Sequence, residues 1–221
     1  MERKNMWEQY TEEQHAEIES LCNRYKECLD AAKTERECVT LGIRMAKEHG
    51  YRDLGECIAE NTALKTGDKI YANCMGKALV LFQIGEKPLE EGMNILGAHV
   101  DSPRLDIKQN PLYEDTGMAY LDTHYYGGIK KYQWVTLPMA IHGSVVKKDG
   151  TVKEIVIGEK EEDPVLVISD LLVHLSQKQI EKKANVVIEG EGLDLLVGTK
   201  PLVGAGEEQK EEKEKVKAAI L

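Results

Sequence analysis

The sequence predicts an α/β layered domain interrupted by a β-rich module. Three observations lead there. Two amphipathic helical stretches precede neighbouring apolar runs of strand length, the arrangement of helices covering a sheet. After Pro103 the pattern changes to many short β-prone segments separated by turns. Finally, residues 207–221 return to strong helix formers with alternating charge.

Residues 7–32 are charge-rich, with Ile18, Leu21, Cys22 and Tyr25 at helical spacing. Thr34 and Glu37 then form a T-x-x-E capping box for a second helix. Cys38, Leu41 and Met45 mark its apolar face, and Gly50 is its stop. Residues 69–75 and 78–84 are apolar runs around Gly76-Lys77, which predicts a hairpin. After a turn containing Pro88, Asn94-Ile95-Leu96-Gly97-Ala98-His99-Val100-Asp101-Ser102-Pro103 reads as a short buried strand ending at a proline.

Beyond Pro103, residues 104–108, 119–126, 132–141, 144–147 and 152–157 are β-prone, with turns at Asp149-Gly150 and Gly158-Glu159. Residues 164–168 form another apolar strand. Ser169 or Asp170 is then placed to cap a short helix carrying Leu171, Leu172, His174 and Leu175. Residues 185–189 and 193–197 complete the unit. The expected organisation is residues 1–103 as the first part of the layered domain, 104–199 as an inserted module, and 200–221 as a linker and the start of a helix returning to the first domain.

The 39 acidic and 29 basic side chains give a net charge of −10, which disfavours nucleic acid and anionic membrane as partners. The N-terminus is too polar for a secretory signal and no apolar run has membrane-spanning length, so a cytoplasmic protein is expected. Cys22, Cys28, Cys38, Cys57 and Cys74 include no C-x-x-C pair and read as reduced, mostly buried thiols.

Side chains two apart in a strand project from one side, so the predicted strand places His99 beside Asp101. An imidazole next to a carboxylate suits metal binding, because one nitrogen can hold the metal while an acidic neighbour orients the ring. The plainer alternative is a histidine and a surface aspartate flanking a strand end. His124 and His142 read as strand histidines, His15 and His49 as solvent-facing helix residues. Gly127-Gly128 lacks a phosphate-cradling frame. Ser102, followed by Pro103, lacks the nucleophile elbow of a serine hydrolase.

Taken together, His99-Val100-Asp101-Ser102-Pro103-Arg104-Leu105-Asp106-Ile107-Lys108, Pro111-Leu112-Tyr113-Glu114, Tyr126-Gly127-Gly128-Ile129, Trp134 and Leu137-Pro138-Met139-Ala140-Ile141-His142-Gly143 resemble the M18 family of zinc aminopeptidases, the aspartyl aminopeptidase and aminopeptidase I group. The resemblance runs from the opening helices to the last residue and covers only the N-terminal part of those longer enzymes. It implies an aminopeptidase-type catalytic domain, incomplete here, with an inserted β-rich dimerisation domain, and homo-oligomers built from dimers up to large tetrahedral, dodecameric shells. By resemblance His99 is a ligand of one of two zinc ions, with cobalt or manganese as alternatives. Asp101 is the catalytic or supporting residue, and His174 a substrate contact reaching into the partner subunit's active site. The bridging aspartate, the paired glutamates with the general base, and the other ligands belong to later parts of the family sequence and have no counterparts here.

The implied function of the complete protein is removal of N-terminal amino acids from peptides by a metal-activated hydroxide, with this chain alone inactive. The alternative is a catalytically inert fragment that serves only as a dimerisation or assembly module.

Overall fold

In the computed structural model, which describes residues 5–202 and 213–221, Thr11 and Thr34 each open a helix with a reciprocal cap. Helix α1 spans Glu12–Ala31 and α2 spans Glu35–Glu48. At α2 the Thr34 N–H donates to Glu37 Oε2 at 2.9 Å while the Glu37 N–H donates to Thr34 Oγ1 at 3.3 Å. Two end amides are thereby satisfied, as the capping box predicts. Gly50 adopts φ +82° just past the helix end. Among the described residues no helix is long and apolar enough to cross a membrane.

The chain divides into two units, residues 1–102 and 103–221. In the first, β1 (Arg52–Asp53) runs parallel to β2 (Lys69–Cys74), which pairs antiparallel with β3 (Ala78–Gln83). Met75 and Gly76 take φ of +57° and +69° in the connecting turn, and Asn73 Oδ1 accepts the Gly76 N–H at 2.8 Å. The hairpin expected from Gly76-Lys77 is therefore present. A short helix α3 (Leu54–Ala59) is capped by Asp53. Among the described residues, Val39 and Ala46 of α2, Cys57 of α3, and Ile70 and Tyr71 of β2 are the buried apolar residues of this unit. Helix α2 approaches β3 at Gly42, where an added Cβ would lie 2.8 Å from Leu79 Cδ2. By contrast α1 has no buried residue, and Leu21, Tyr25 and Leu29 are exposed along it.

The predicted strand ending at His99 is absent. Residues 94–103 have no regular structure, with Ile95 80% and Leu96 100% exposed. A strand needs a neighbour for its amides, and among the described residues none pairs with this run. Apolar composition alone does not supply the ladder.

The second unit is built on a five-stranded antiparallel sheet in the order β4-β5-β10-β9-β6. Its strands are β4 (Arg104–Asp115), β5 (Met118–Tyr126), β6 (Pro138–Met139), β9 (Leu166–Val167) and β10 (Leu195–Gly198). A separate ribbon pairs β7 (Ile141–Val146) with β8 (Val152–Ile157). Val135, Leu166, Ile168, Ile188, Leu193 and Leu195 form the core; full burial of each such side chain contributes roughly 1.5–3 kcal/mol.

Strand β4 continues through Pro111, where the sequence pattern stops. It is an edge strand, and its register with β5 shifts between Ile107 and Leu112, which accommodates a residue lacking an N–H. Two other expected strands are not strands. Within residues 132–141 only β6 and Ile141, the first residue of β7, are extended, and Val135 reaches the core from a turn whose Thr136 has φ +63° and donates its N–H to Ile168 O at 2.8 Å. Residues 185–189 form turns and bends, with Ile188 buried from there. In both, apolar side chains mark core contacts made without strand pairing.

The expected terminal helix falls partly in 203–212, outside the described residues; among the described residues of this unit the α-helices are α4 (Gln177–Ile180) and α5 (Lys215–Ile220). Helix α5 packs on β4, β5 and β10, with Val216 2% exposed. Gly198 makes this possible, since a Cβ there would meet Ile220 Cδ1 at 2.8 Å. The C-terminal residues thus rest on the β-rich unit.

Candidate metal and substrate site

His99 and Asp101 are brought together by a loop rather than by strand alternation. The imidazole Nδ1 lies 2.9 Å from the Asp101 main-chain oxygen and 3.2 Å from its carboxylate Oδ1. Residues 94–103 form no strand, so the contact is made within the loop itself. Neither a carbonyl nor an ionised carboxylate oxygen can donate, so Nδ1 is the donor and carries the proton. The lone pair of the neutral ring is then on Nε2, the tautomer in which a histidine ligates a metal while its other nitrogen is held by a carboxylate or carbonyl. The His99 side chain is 85% exposed and that of Asp101 37%.

Among the described residues no group of three or more His, Cys, Asp or Glu side chains is placed to hold a metal ion. A hydrolytic zinc site takes three protein ligands and leaves one position open. Among the described residues, His99 therefore offers a metal a single nitrogen donor.

His174 is in the second unit. The helix predicted around it is a turn at residues 173–175, and α4 begins only at Gln177. Leu171, Leu172, Val173 and Leu175 are all more than half exposed, so no face of a helix is buried there to stabilise one. Beside the turn lies an open groove of about 290 Å³ lined by Tyr132, Val135, Leu171, Val173, Ile180 and Val187, among others. His174, Leu172 and Leu175 are exposed with it.

The sequence gives little sign of two polar networks that brace this unit. Lys108 Nζ sits 2.8 Å from Asp122 Oδ1 and 3.0 Å from Glu191 Oε2, and these bonds raise its pKa. The Tyr113 hydroxyl donates to Asp194 Oδ2 at 2.6 Å; burial, then that bond, raises its pKa. The Thr123 hydroxyl donates to Leu193 O at 2.5 Å. Their members lie up to 83 residues apart, beyond any spacing rule.

Two of the other histidines lie in strands, His124 in β5 and His142 in β7. His124 stacks on Tyr125 at 5.6 Å, and His142 Nε2 lies 3.0 Å from Glu159 Oε1. All five cysteines are free, but only Cys57 is buried; Cys28 and Cys38 are half-buried, and Cys22 and Cys74 exposed. The expectation of mostly buried thiols fails because α1 and the β2–β3 turn lie at the surface. Burial, with Cys28 nearby, raises the Cys38 pKa.

Residues 28–221 match the family model described as aminopeptidase I zinc metalloprotease (M18). A probable M18 family aminopeptidase 1 from Clostridium acetobutylicum is 56% identical over 220 residues, covering 100% of this chain and 46% of the relative. A Thermotoga maritima protein of the same description is 44% identical over 221 residues, with the same coverage. The crystal structure of the M18 aminopeptidase from Thermotoga maritima superimposes with a TM-score of 0.86, covering 100% of this chain and 46% of that one. Aminopeptidase I from Clostridium acetobutylicum gives 0.80 at 55% identity, with coverage of 98% and 46%. The chain therefore spans about half the length of the relatives it matches and corresponds to their N-terminal part. On the family match and these identities together, the chain belongs to the M18 aminopeptidase family.

Proposed function

We propose that this chain is the N-terminal portion of a dinuclear zinc aminopeptidase that removes N-terminal amino acids from peptides. The observation that carries the reading is the His99–Asp101 contact. In a chain of this family it leaves Nε2 as the one ring nitrogen able to ligate. Zinc, when bound, supplies Lewis-acid polarisation of a carbonyl and makes water acidic enough to serve at neutral pH. His99 holds the metal through Nε2, and Asp101 fixes the ring's tautomer and direction. Asp101 also balances part of the positive charge that His99 acquires as a ligand. His174, on an exposed turn, meets substrate in the active site of a second copy. The exposed apolar residues around it give that copy a surface to cover. Cobalt or manganese are alternative metals, since a single histidine does not select among them.

The test is metal content by mass spectrometry together with assays on a panel of aminoacyl substrates, with zinc, cobalt or manganese added, on the complete protein and its His99→Ala variant. Loss of both bound metal and activity in the variant is expected. Full activity there removes His99 from the site.

A second reading is favoured by the lack of a multi-residue metal cluster among the described residues. By it, the 221-residue chain on its own is a folding and dimerisation module without activity. The same metal measurement on this chain alone decides, with no tightly bound metal expected.

A further inference from the structure

The turn carrying His174 is not held by its own apolar side chains, because Leu171, Leu172, Val173 and Leu175 are between 54% and 71% exposed. Polar bonds at its two ends hold it instead. At the entry, Asp170 Oδ1 accepts the Leu171 N–H and the Gln179 Nε2–H, both at 2.8 Å. At the exit, Ser176 is 4% exposed, and its hydroxyl donates to Val173 O at 3.1 Å. Between them the Leu175 N–H donates to Leu172 O at 2.8 Å. Gln179 lies in α4, which starts immediately after Ser176. The Asp170–Gln179 bond therefore ties the start of the loop to the helix that receives its end, closing a ring between residues nine apart in sequence. A cross-link of this kind removes conformations that a free loop would sample. A carboxylate acceptor makes the bond stronger than a neutral one.

We infer that Gln179, acting through Asp170, is a positioning residue that sets the conformation in which the loop presents His174. The inference rests on the reading of His174 as a substrate contact. A loop exposed on this scale delivers an imidazole to a second molecule in one geometry only if something besides burial orders it. The Asp170–Gln179 bond is the contact that spans the loop. Gln179 is half-buried beside the groove, so its amide is aimed by packing as well as by the carboxylate. Nothing in the sequence announces the pair, since an aspartate and a glutamine nine apart match no helix, strand or turn rule.

The test uses the 221-residue chain and its Gln179→Ala and Asp170→Asn variants. Hydrogen exchange is read at the amides of residues 171–176, and the imidazole resonance of His174 by NMR. In Gln179→Ala, exchange at those amides is expected to quicken about tenfold, in line with loss of one charge-assisted bond. The His174 resonance is expected to move to the position of an unstructured peptide. The amides of β9 and β10 keep their protection. Asp170→Asn retains an oxygen acceptor and preserves most of the protection at 171–176. Unchanged exchange and resonance in Gln179→Ala overturn the inference. So does a loss spread equally over β9 and β10, because Gln179 then serves general stability.

In the complete enzyme, Gln179→Ala and His174→Ala are expected to change the same kinetic parameter, kcat or KM. The double variant is expected to be no worse than His174→Ala alone. A His174→Ala enzyme with unaltered kinetics defeats the substrate role proposed above, while the exchange and NMR results still decide the loop. Altered kinetics in His174→Ala with none in Gln179→Ala defeats the positioning role alone.

Discussion

The His99 ring is turned back onto Asp101, with Nδ1 2.9 Å from the aspartate's main-chain oxygen and 3.2 Å from its carboxylate. Two functions of Asp101 follow from one contact: the backbone oxygen fixes the tautomer, and the carboxylate adds negative charge behind the ring. Asp101→Asn keeps the backbone contact and removes the charge. We predict a 10–100-fold loss of metal affinity in the complete enzyme, the range for losing a carboxylate that supports a ligating histidine, against total loss for His99→Ala. Metal titration of both variants checks the ordering. Equal losses would mean that the carboxylate is itself a ligand rather than a support for the ring.

Helix α5 depends on a carboxylate from a distant strand. Glu114 Oε2 accepts the N–H groups of Val216 at 2.8 Å and Lys217 at 2.9 Å, satisfying the first turn where no side chain of the helix itself caps it. Glu114→Ala is predicted to cost about 1–2 kcal/mol. The amides of Val216 and Lys217 should lose exchange protection first. Urea denaturation gives the first quantity and hydrogen exchange the second. A variant of unaltered stability would show that Val216 burial against Gly198 holds the helix by itself.

Acid should loosen the β7–β8 ribbon before the sheet. Asp149 accepts the Thr151 N–H in its turn, and Asp163 accepts the N–H groups of Gly158 and Lys160 just after it. These bonds lower both pKa values. A carboxyl with a lowered folded pKa contributes stability that is complete above its unfolded value, about 4, and is lost as the pH falls through the folded one. The predicted loss therefore begins below about pH 4. NMR of Gly143 and Ile155 in the ribbon against Leu195 in the sheet, read over pH 2–6, tests the order. Simultaneous loss at all three would refute it.

The exposed apolar turn predicts self-association. Leu172 is 71% and Val173 67% exposed beside an apolar groove. Placing a charge there, as Leu172→Asp, should weaken association at least about tenfold, since burying an unpaired carboxylate opposes the interface. Sedimentation velocity over a concentration series reads this directly. A wild-type chain that stays monomeric throughout would sink the dimer reading.

Sequence patterns made the helices legible where local rules govern. Thr34 with Glu37, and Gly50, place α2 to within a residue at each end, because caps depend on bonds between near neighbours. The hairpin turn around Gly76-Lys77 was legible for the same reason. The patterns misplace residues 94–100, 132–141 and 185–189, where apolar side chains suggest strands. Whether such a run is a strand depends on a partner that no local pattern contains. His174 was misplaced similarly, since Leu171, Leu172 and Leu175 suggest a buried helical face that the tertiary structure leaves exposed.

What the sequence by itself determined is the family, through the blocks around His99 and Trp134, and with it the pairing of His99 with Asp101, whose two-residue separation lets them meet even without a strand. Only the tertiary structure decided how that pair meets, which nitrogen of His99 is taken, and that Glu114, Asp170 and Gln179 hold α5 and the His174 turn. The physical reason is range. Caps, turns and i, i+2 contacts are settled within a few residues, whereas a bond such as Glu114 to Val216 exists only once strands and helices have packed.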